Sequence, residues 1–328
     1  MIVRFFEACL NELGEENLMA ENNEIDWQQF EQLPTTEVAR RVREEGPRVC
    51  GFPINGTRRW FLLEHGDTAG EDFWTTYLNT TWQRQIELYQ LFFDHGVHTL
   101  LTPIFGPDLL QRGEEYQQLV LPGLTWFTEA AEILAFYDTY DVRVRVYGDV
   151  ERHLCDTPYE RALDAFQKIE QRTRHHQGHR LFFGVCAHDP AEAVAAFGAN
   201  YYREHQTVPS KREIVEAYYG EYVEPVDLFI GFDRPVVFDM PLVTTGNEDL
   251  YFTVAPSPYL DRTALRKILY DHMVRRNIDE STYDALPEEG WRWMESFYRA
   301  NRESVLGIGL KRDGVWYPLP QVTMPEEN

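Results

Sequence analysis

The stretch Val49-Cys50-Gly51-Phe52-Pro53-Ile54-Asn55-Gly56-Thr57-Arg58-Arg59-Trp60 decides how the chain is read. An apolar run ends at Pro53. An Asn-Gly turn follows, and a hydroxyl, two adjacent arginines and a tryptophan begin the next segment. A strand that enters a helix through a glycine turn leaves unpaired backbone N–H groups at the helix start, where the macrodipole is positive. Such a junction attracts anions before any side chain is counted. Arg58 and Arg59 add permanent charge and forked donors that match phosphate oxygens. The stretch reads as a diphosphate cradle built from Gly56, Thr57, Arg58 and Arg59. The plainer alternative is a surface turn with two solvated arginines.

Working outward, the hydropathy pattern predicts strands over 48–53, 97–104, 142–147, 180–186, 226–231 and 250–254. Helical patterns cover 25–45 with a break at Pro34, 77–95, 107–140 with a break near Pro122-Gly123, 158–174, 191–205, 210–219, 263–276 and 289–301. Strands over 305–310 and 315–319, turned by Asp313-Gly314, form an expected hairpin. Alternating strands and helices imply parallel pairing through right-handed crossovers. The fold class is therefore α/β: one domain with a six-stranded, mostly parallel sheet flanked by helices. The expected organisation is an N-terminal helical extension (1–40), the sheet domain (41–278) and a C-terminal helix and hairpin (279–328). Residues 1–24 read as an acidic helix followed by a loose linker. Ligands of such sheets sit at the carboxyl ends of strands, where the Asn55 turn falls.

Composition narrows the chemistry. The 328 residues carry 54 acidic against 31 basic side chains, a net charge of −23. That argues against nucleic acid and anionic membranes as partners. In so acidic a chain an anion site needs locally concentrated arginine. No apolar run approaches the roughly 18 residues that span a bilayer, and the first residues are too charged for a secretory signal. A soluble cytoplasmic protein without stable membrane insertion is expected. Cys9, Cys50, Cys155 and Cys186 are far apart and lack a CxxC spacing, so they read as reduced and packed. The cluster His175-His176-Gln177-Gly178-His179 lacks partners of fixed spacing and reads as loop histidines, not metal ligands. Asp141, Asp149 and Asp156 read as surface or capping residues. No Walker loop, GxGxxG or GxSxG is present. Aromatics 73, 74, 77, 82, 89, 92 and 93 share one helical stretch. Those near its start are placed to wall the cradle with apolar, π-rich surface, as a long hydrocarbon diphosphate and its cation require.

These residues carry a resemblance. Asn55-Gly56-Thr57-Arg58-Arg59-Trp60 resembles the DGNxRW signature of cis-prenyltransferases, and Asp227-Leu228-Phe229-Ile230 followed by Asp249-Leu250-Tyr251-Phe252 resembles their distal motifs. Gly231, Pro235 and Val237 stand where that family carries the Arg, Glu and Arg that hold isopentenyl diphosphate. The chain thus looks like a cis-prenyltransferase that kept its allylic-diphosphate site and lost its condensation site. Further matches over roughly residues 30–320 include Asp94-His95-Gly96, Arg112-Gly113, Tyr218-Tyr219-Gly220-Glu221 and Tyr251 to Ser257. They resemble the diterpene enzymes of the tuberculosinol synthase and tuberculosinyl adenosine transferase group, and above all the bacterial kolavelool synthase branch.

The resemblance implies a cis-prenyltransferase-like fold. It implies a substrate that is a bicyclic C20 allylic diphosphate made by a separate cyclase, such as kolavenyl diphosphate. Ionisation with Mg2+ and capture of the cation by water would give a tertiary alcohol of the kolavelool type plus diphosphate. Transfer of the same cation to adenosine is the first rival. A non-catalytic cis-prenyltransferase partner subunit is the second. Arg58 and Arg59 match diphosphate-binding arginines, and Tyr77 and Tyr116 match two functional tyrosines that orient water or steady the cation. Asn55 stands where the family has Asp, so as a catalytic or metal-binding residue it keeps an oxygen ligand but loses the charge. The family is typically dimeric, so a homodimer is expected. The absence of DDxxD and DxDD motifs separates the chain from all-helical terpene synthases and from cyclases.

Overall fold

A computed structural model describes residues 25–66, 73–106, 114–237, 241–276, 286–319 and 322–324, with backbone only for 114–120. The expectations for residues 1–24, including Cys9, lie outside the described residues, as does the side chain of Tyr116.

Six strands form one sheet: β1 Val49–Gly51, β2 Thr99–Phe105, β3 Val142–Tyr147, β4 His179–Val185, β5 Leu228–Phe232 and β6 Asp249–Thr253. Their order is β3-β4-β2-β1-β5-β6 and every pairing is parallel. Parallel strands covered on both faces are apolar throughout rather than alternating, and β1 and all of β2 but Ile104 are buried. β1 is central, with Cys50 opposite Leu100 of β2 and Leu228 of β5. The chain leaves β1 toward β2 and returns on the other side as β5. The carboxyl end of β1 is therefore a topological switch point, where α/β sheets bind ligands.

The helices are α1 Trp27–Gln32, α2 Thr35–Glu45, α3 Thr57–His65, α4 Phe73–Asp94, α5 Glu114–Glu129, α6 Ala131–Thr139, α7 Val150–Leu154, α8 Arg161–Thr173, α9 Ala191–His205, α10 Lys211–Tyr219, α11 Arg262–Tyr270 and α12 Glu288–Asn301. A short hairpin, β7 Gly309–Arg312 with β8 Val315–Pro318, is antiparallel. Three expected boundaries move: α4 begins at Phe73 rather than at 77, β7 begins at Gly309 rather than at 305, and the break near Pro122 shifts. The helix does not break at Pro122-Gly123, because α5 runs through both residues, and the interruption falls at Ala130 between α5 and α6. The histidine cluster is also less loop-like than the sequence reads. His176 is buried with Nδ1 2.9 Å from the Val142 carbonyl, and His179 lies on β4 stacked on Phe93. Asp141 accepts hydrogen bonds from the amides of Gln177 and Gly178, the capping role expected of it. Cys50 and Cys186 are buried, whereas Cys155 is exposed. No helix among the described residues is long and apolar enough to cross a membrane.

One buried cation ties the edge helices to the sheet. Arg266 on α11 is fully buried. It donates to the carbonyls of Glu31 and Leu33, to Thr35 Oγ1 and to His95 Nε2. Four acceptors take the place of a carboxylate, so the guanidinium is satisfied without an ion pair. His95 can accept from Arg266 only while its imidazole is neutral. Burial, with the charge of Arg266, holds its pKa below the usual 6.5, against the opposing bond to the Leu91 carbonyl. The unfolded chain therefore binds this proton more readily than the fold does. Its contribution to stability is complete above about pH 6.5 and is lost as the pH falls toward the lowered native value. We expect chemical denaturation to show stability falling as pH drops from about 7.5 to 5.5. His95→Gln should flatten that slope; an unchanged slope in the variant would assign the acid sensitivity elsewhere.

Candidate active site

The cradle starts from glycine. Gly56 caps α3 at φ 75°, a left-handed conformation that glycine adopts without strain. A Cβ there would sit 2.7 Å from Phe232 Cε1 of β5. Both the turn and the close approach of β5 therefore require glycine. No side chain caps α3 and no acidic residue lies in its first turn. Its leading N–H groups and the positive end of the dipole are left for an anion. The helix opens at Thr57, directly after the turn.

Ser257, fully buried beyond the end of β6, fixes the loop in place. Its hydroxyl accepts from the Asn55 amide at 3.1 Å and lies 3.4 Å from the Pro53 carbonyl, and its own amide donates to the Asn55 carbonyl at 3.0 Å. The Asn55 carboxamide itself has no hydrogen-bond partner among the described residues.

The two arginines take different settings. Arg58 lies over the Trp74 ring, 5.5 Å from its centroid. Arg59 lies over Phe232 at 4.6 Å and donates to Asp233 Oδ2 at 3.0 Å. Arg59 is half exposed, so this ion pair is a soft contact that an anion can replace. Asp233 sits just past β5 at φ 69°, a conformation that Asp tolerates better than most residues.

The aromatic wall is where the sequence places it. Phe73 and Tyr77 at the start of α4 pack on Trp60 and Phe61 of α3. Tyr77 Oη is 2.9 Å from Thr57 Oγ1. One expected functional tyrosine thus joins the cradle directly, in an edge contact with Phe61. Farther along α4, Trp82 stacks on Trp126.

Gly231 stands where cis-prenyltransferases carry an arginine, and a Cβ there would meet Phe252 at 2.7 Å. Aromatic rings occupy the space a side chain at 231 would need.

Sequence reasoning missed Asp233, Phe232 and the role of Ser257. Arg59 and Asp233 are 174 positions apart, and Asn55 and Ser257 are 202 apart. No local signal marks such partners; only the adjacency of β1, β5 and β6 brings them together.

No protein-family model matches the sequence. The chain is 39% identical to the tuberculosinyl adenosine transferase of Mycobacterium tuberculosis (strain CDC 1551 / Oshkosh) over 297 residues, which covers 90% of this chain and 99% of that protein. The chain belongs to the tuberculosinyl adenosine transferase family. It is 28% identical to the (+)-kolavelool synthase of Herpetosiphon aurantiacus over 290 residues, covering 84% of this chain and 91% of that one. Of these two relatives the transferase is the more similar, where the motifs alone favour the synthase. Among solved structures, lavandulyl diphosphate synthase from Lavandula x intermedia, in complex with dimethylallyl diphosphate, superposes with a TM-score of 0.56 at 15% identity. It covers 73% of this chain and 97% of that one. A probable undecaprenyl diphosphate synthase from Campylobacter jejuni gives 0.51 at 14% identity, covering 70% and 97%. At such identities these two establish the cis-prenyltransferase fold. The chain is accordingly a diterpene-related enzyme of that fold.

Ser257 is the point at which this geometry can be tested without touching the anion site. Ser257→Ala leaves the part-buried Asn55 amide without its acceptor, a loss of about 1 kcal/mol or more. We expect thermal unfolding to register that loss and calorimetry to show weaker inorganic diphosphate binding. Unchanged affinity would mean that the loop holds its shape without the hydroxyl.

Proposed function

We propose that this enzyme seats a bicyclic C20 allylic diphosphate with its diphosphate at the α3 start and ionises it. The observation that carries the reading is the convergence of a bare helix N-terminus, Arg58, Arg59 and the Thr57–Tyr77 hydroxyl pair beside an aromatic wall. The allylic C–O bond breaks heterolytically and its electron pair leaves with the diphosphate. The N–H groups of α3 and the two guanidiniums meet the charge as it develops, which is where preorganised donors accelerate a reaction most. Arg59 exchanges Asp233 for the leaving group. The faces of Trp74 and Tyr77 shield the cation.

The acceptor we propose is adenosine, because the greater similarity is to the transferase. A nucleoside nitrogen forms the new bond, and any proton released goes to the departing diphosphate. Water is the second reading and gives a kolavelool-type alcohol; the Thr57–Tyr77 pair, 2.9 Å apart, is placed to orient a water molecule. Tyr116 and Asn55 remain proposed site residues by resemblance. The packing that leaves no room for a side chain at Gly231 supports a single diphosphate site with no isoprene donor beside it.

Mg2+ suits this donor set in a limited way. The described residues contain no group of three or more His, Cys, Asp or Glu that could hold a metal. Mg2+ commonly keeps several waters and binds through phosphate oxygens with one or two protein oxygens. The side-chain Oδ1 of Asn55, which has no partner among the described residues, would be one such ligand. Bound there, the ion would supply charge neutralisation on the diphosphate.

We also propose a homodimer. Trp291, Trp293 and Tyr298 on α12 and Leu306, Ile308 and Tyr317 near the hairpin are exposed, more apolar surface than one solvated segment normally shows. Light scattering of the intact protein should report twice the chain mass; a monomer at micromolar concentration would end this part of the reading.

Arg58→Ala and Arg59→Ala should each lower turnover at least about a hundredfold, the scale of losing a transition-state donor. Near-normal turnover in both would move the diphosphate elsewhere. Asp233→Asn should instead tighten inorganic diphosphate binding by calorimetry, since it frees Arg59; weaker binding would assign Asp233 a constructive role. Mass spectrometry of the products of kolavenyl or a related bicyclic diphosphate, with and without adenosine, separates an adenosine adduct from a free alcohol. Neither product with any such diphosphate would overturn the proposal.

A further inference from the structure

The amino end of the sheet carries a second concentration of positive charge. A cavity of about 360 Å³ opens there, lined by Arg43 of α2, Arg48 before β1, His98 and Thr99 at the start of β2, Arg180 of β4, and Glu224. These residues mark the amino ends of parallel strands, whereas the cradle follows the carboxyl end of β1. β1 itself separates the two, so the cavity is no part of the substrate site.

The cations there are of two kinds. Arg180 is fixed: it donates to Thr99 Oγ1 at 3.1 Å, to Glu221 Oε1 at 3.2 Å and to the Tyr222 carbonyl at 2.8 Å. Glu221, largely buried, is shared by Arg180, Arg143 and Arg145, so one carboxylate answers three guanidiniums. Glu170 adds a second, longer contact to Arg145. Arg43 and Arg48 are different. Neither guanidinium has a hydrogen bond or ion pair with any of the described residues, although both line the cavity. Even with Glu224 at its margin, the cavity keeps an excess of positive charge in a chain whose net charge is −23. Concave positive sites focus their field on an entering anion.

We propose that this cavity binds a small, hydrophilic, phosphate-bearing ligand. Two unengaged guanidinium forks beside a fixed third are the chemistry that recognises phosphate oxygens, and arginine is suited to that geometry. The volume falls at the lower end of the range of small-molecule sites. Among the described residues that line it, His98 is the one with an aromatic ring, so it offers little of the ring surface that the proposed hydrocarbon pocket at the cradle has. His98 reports on the site from within. Desolvation by the cavity walls, then the charges of Arg180, Arg48 and Arg143, hold its imidazole below the usual 6.5. Glu221 opposes them, and an anion seated among the arginines pushes the pKa upward again.

Inorganic phosphate is the probe, titrated into the intact protein at constant ionic strength while the imidazole resonances are followed by NMR. The His98 signal is assigned by its loss in His98→Asn. We expect a saturable shift of that signal and an upward move of its titration midpoint. Arg43→Ala with Arg48→Ala should weaken the effect at least about tenfold, and both residues are exposed and unpaired, so the fold does not depend on them. Arg58→Ala with Arg59→Ala, which removes the cradle, should leave it unchanged; this separates the cavity from the proposed catalytic site. The proposal is overturned if the His98 signal does not saturate or if chloride moves it equally. It is also overturned if the response survives loss of Arg43 and Arg48, or disappears with the cradle variant instead.

Discussion

The buried hydroxyl and amide of Ser257 hold the carbonyls and amide of residues 53–55, and the remaining features of the site depend on that clamp. A loop that leaves the central strand has little local reason to adopt one shape. Each bond is worth only about 1 kcal/mol net, but an orphaned buried partner costs more, so the loop either keeps this shape or leaves groups unpaired. With residues 53–55 fixed, Gly56 can turn left-handed beneath Phe232, and α3 points its unpaired N–H groups at one place. The shape of the junction is therefore a consequence of contacts between β1, β5 and the segment after β6, not of residues 55–59 alone.

Charge at this end of the sheet is balanced by exchange. Arg59 rests on Asp233 and Phe232, while Arg58 rests on Trp74. An exposed ion pair is worth little, so Asp233 holds the Arg59 guanidinium only loosely. Thr57 and Tyr77 place hydroxyls beside the same turn, and α4 supplies the apolar wall. The turn and the aromatic wall thus belong to two adjacent helices that share a packed face.

The rest of the molecule keeps its buried polar groups satisfied with few opposing charges. Arg266 is held by two carbonyls, a hydroxyl and a neutral imidazole, which joins α1, α2 and α11 across one side of the sheet. At the amino end of the sheet, by contrast, arginine outnumbers carboxylate and two guanidiniums have no partner among the described residues. The same residue type serves as a structural link in one place and as an open binding group in the other; the number of acceptors within reach makes the difference.

By itself the sequence determined the sheet class, the positions of the six sheet strands within two residues, and the glycine turn that enters a helix at Thr57. Those properties are local: hydropathy periodicity, glycine at a turn, and arginine beside a helix start act over a few residues and leave a readable pattern. It also marked Tyr77 and the aromatic start of α4, because one helical face carries them. Tertiary structure alone decided that Ser257 fixes the loop, that Asp233 partners Arg59, that rings of Phe229 and Phe252 close on Gly231, and that α5 passes straight through Pro122. It alone gathers Arg43, Arg48, His98 and Arg180 around one cavity. These depend on which strands become neighbours, and residues about 200 positions apart meet only through the parallel order of the sheet.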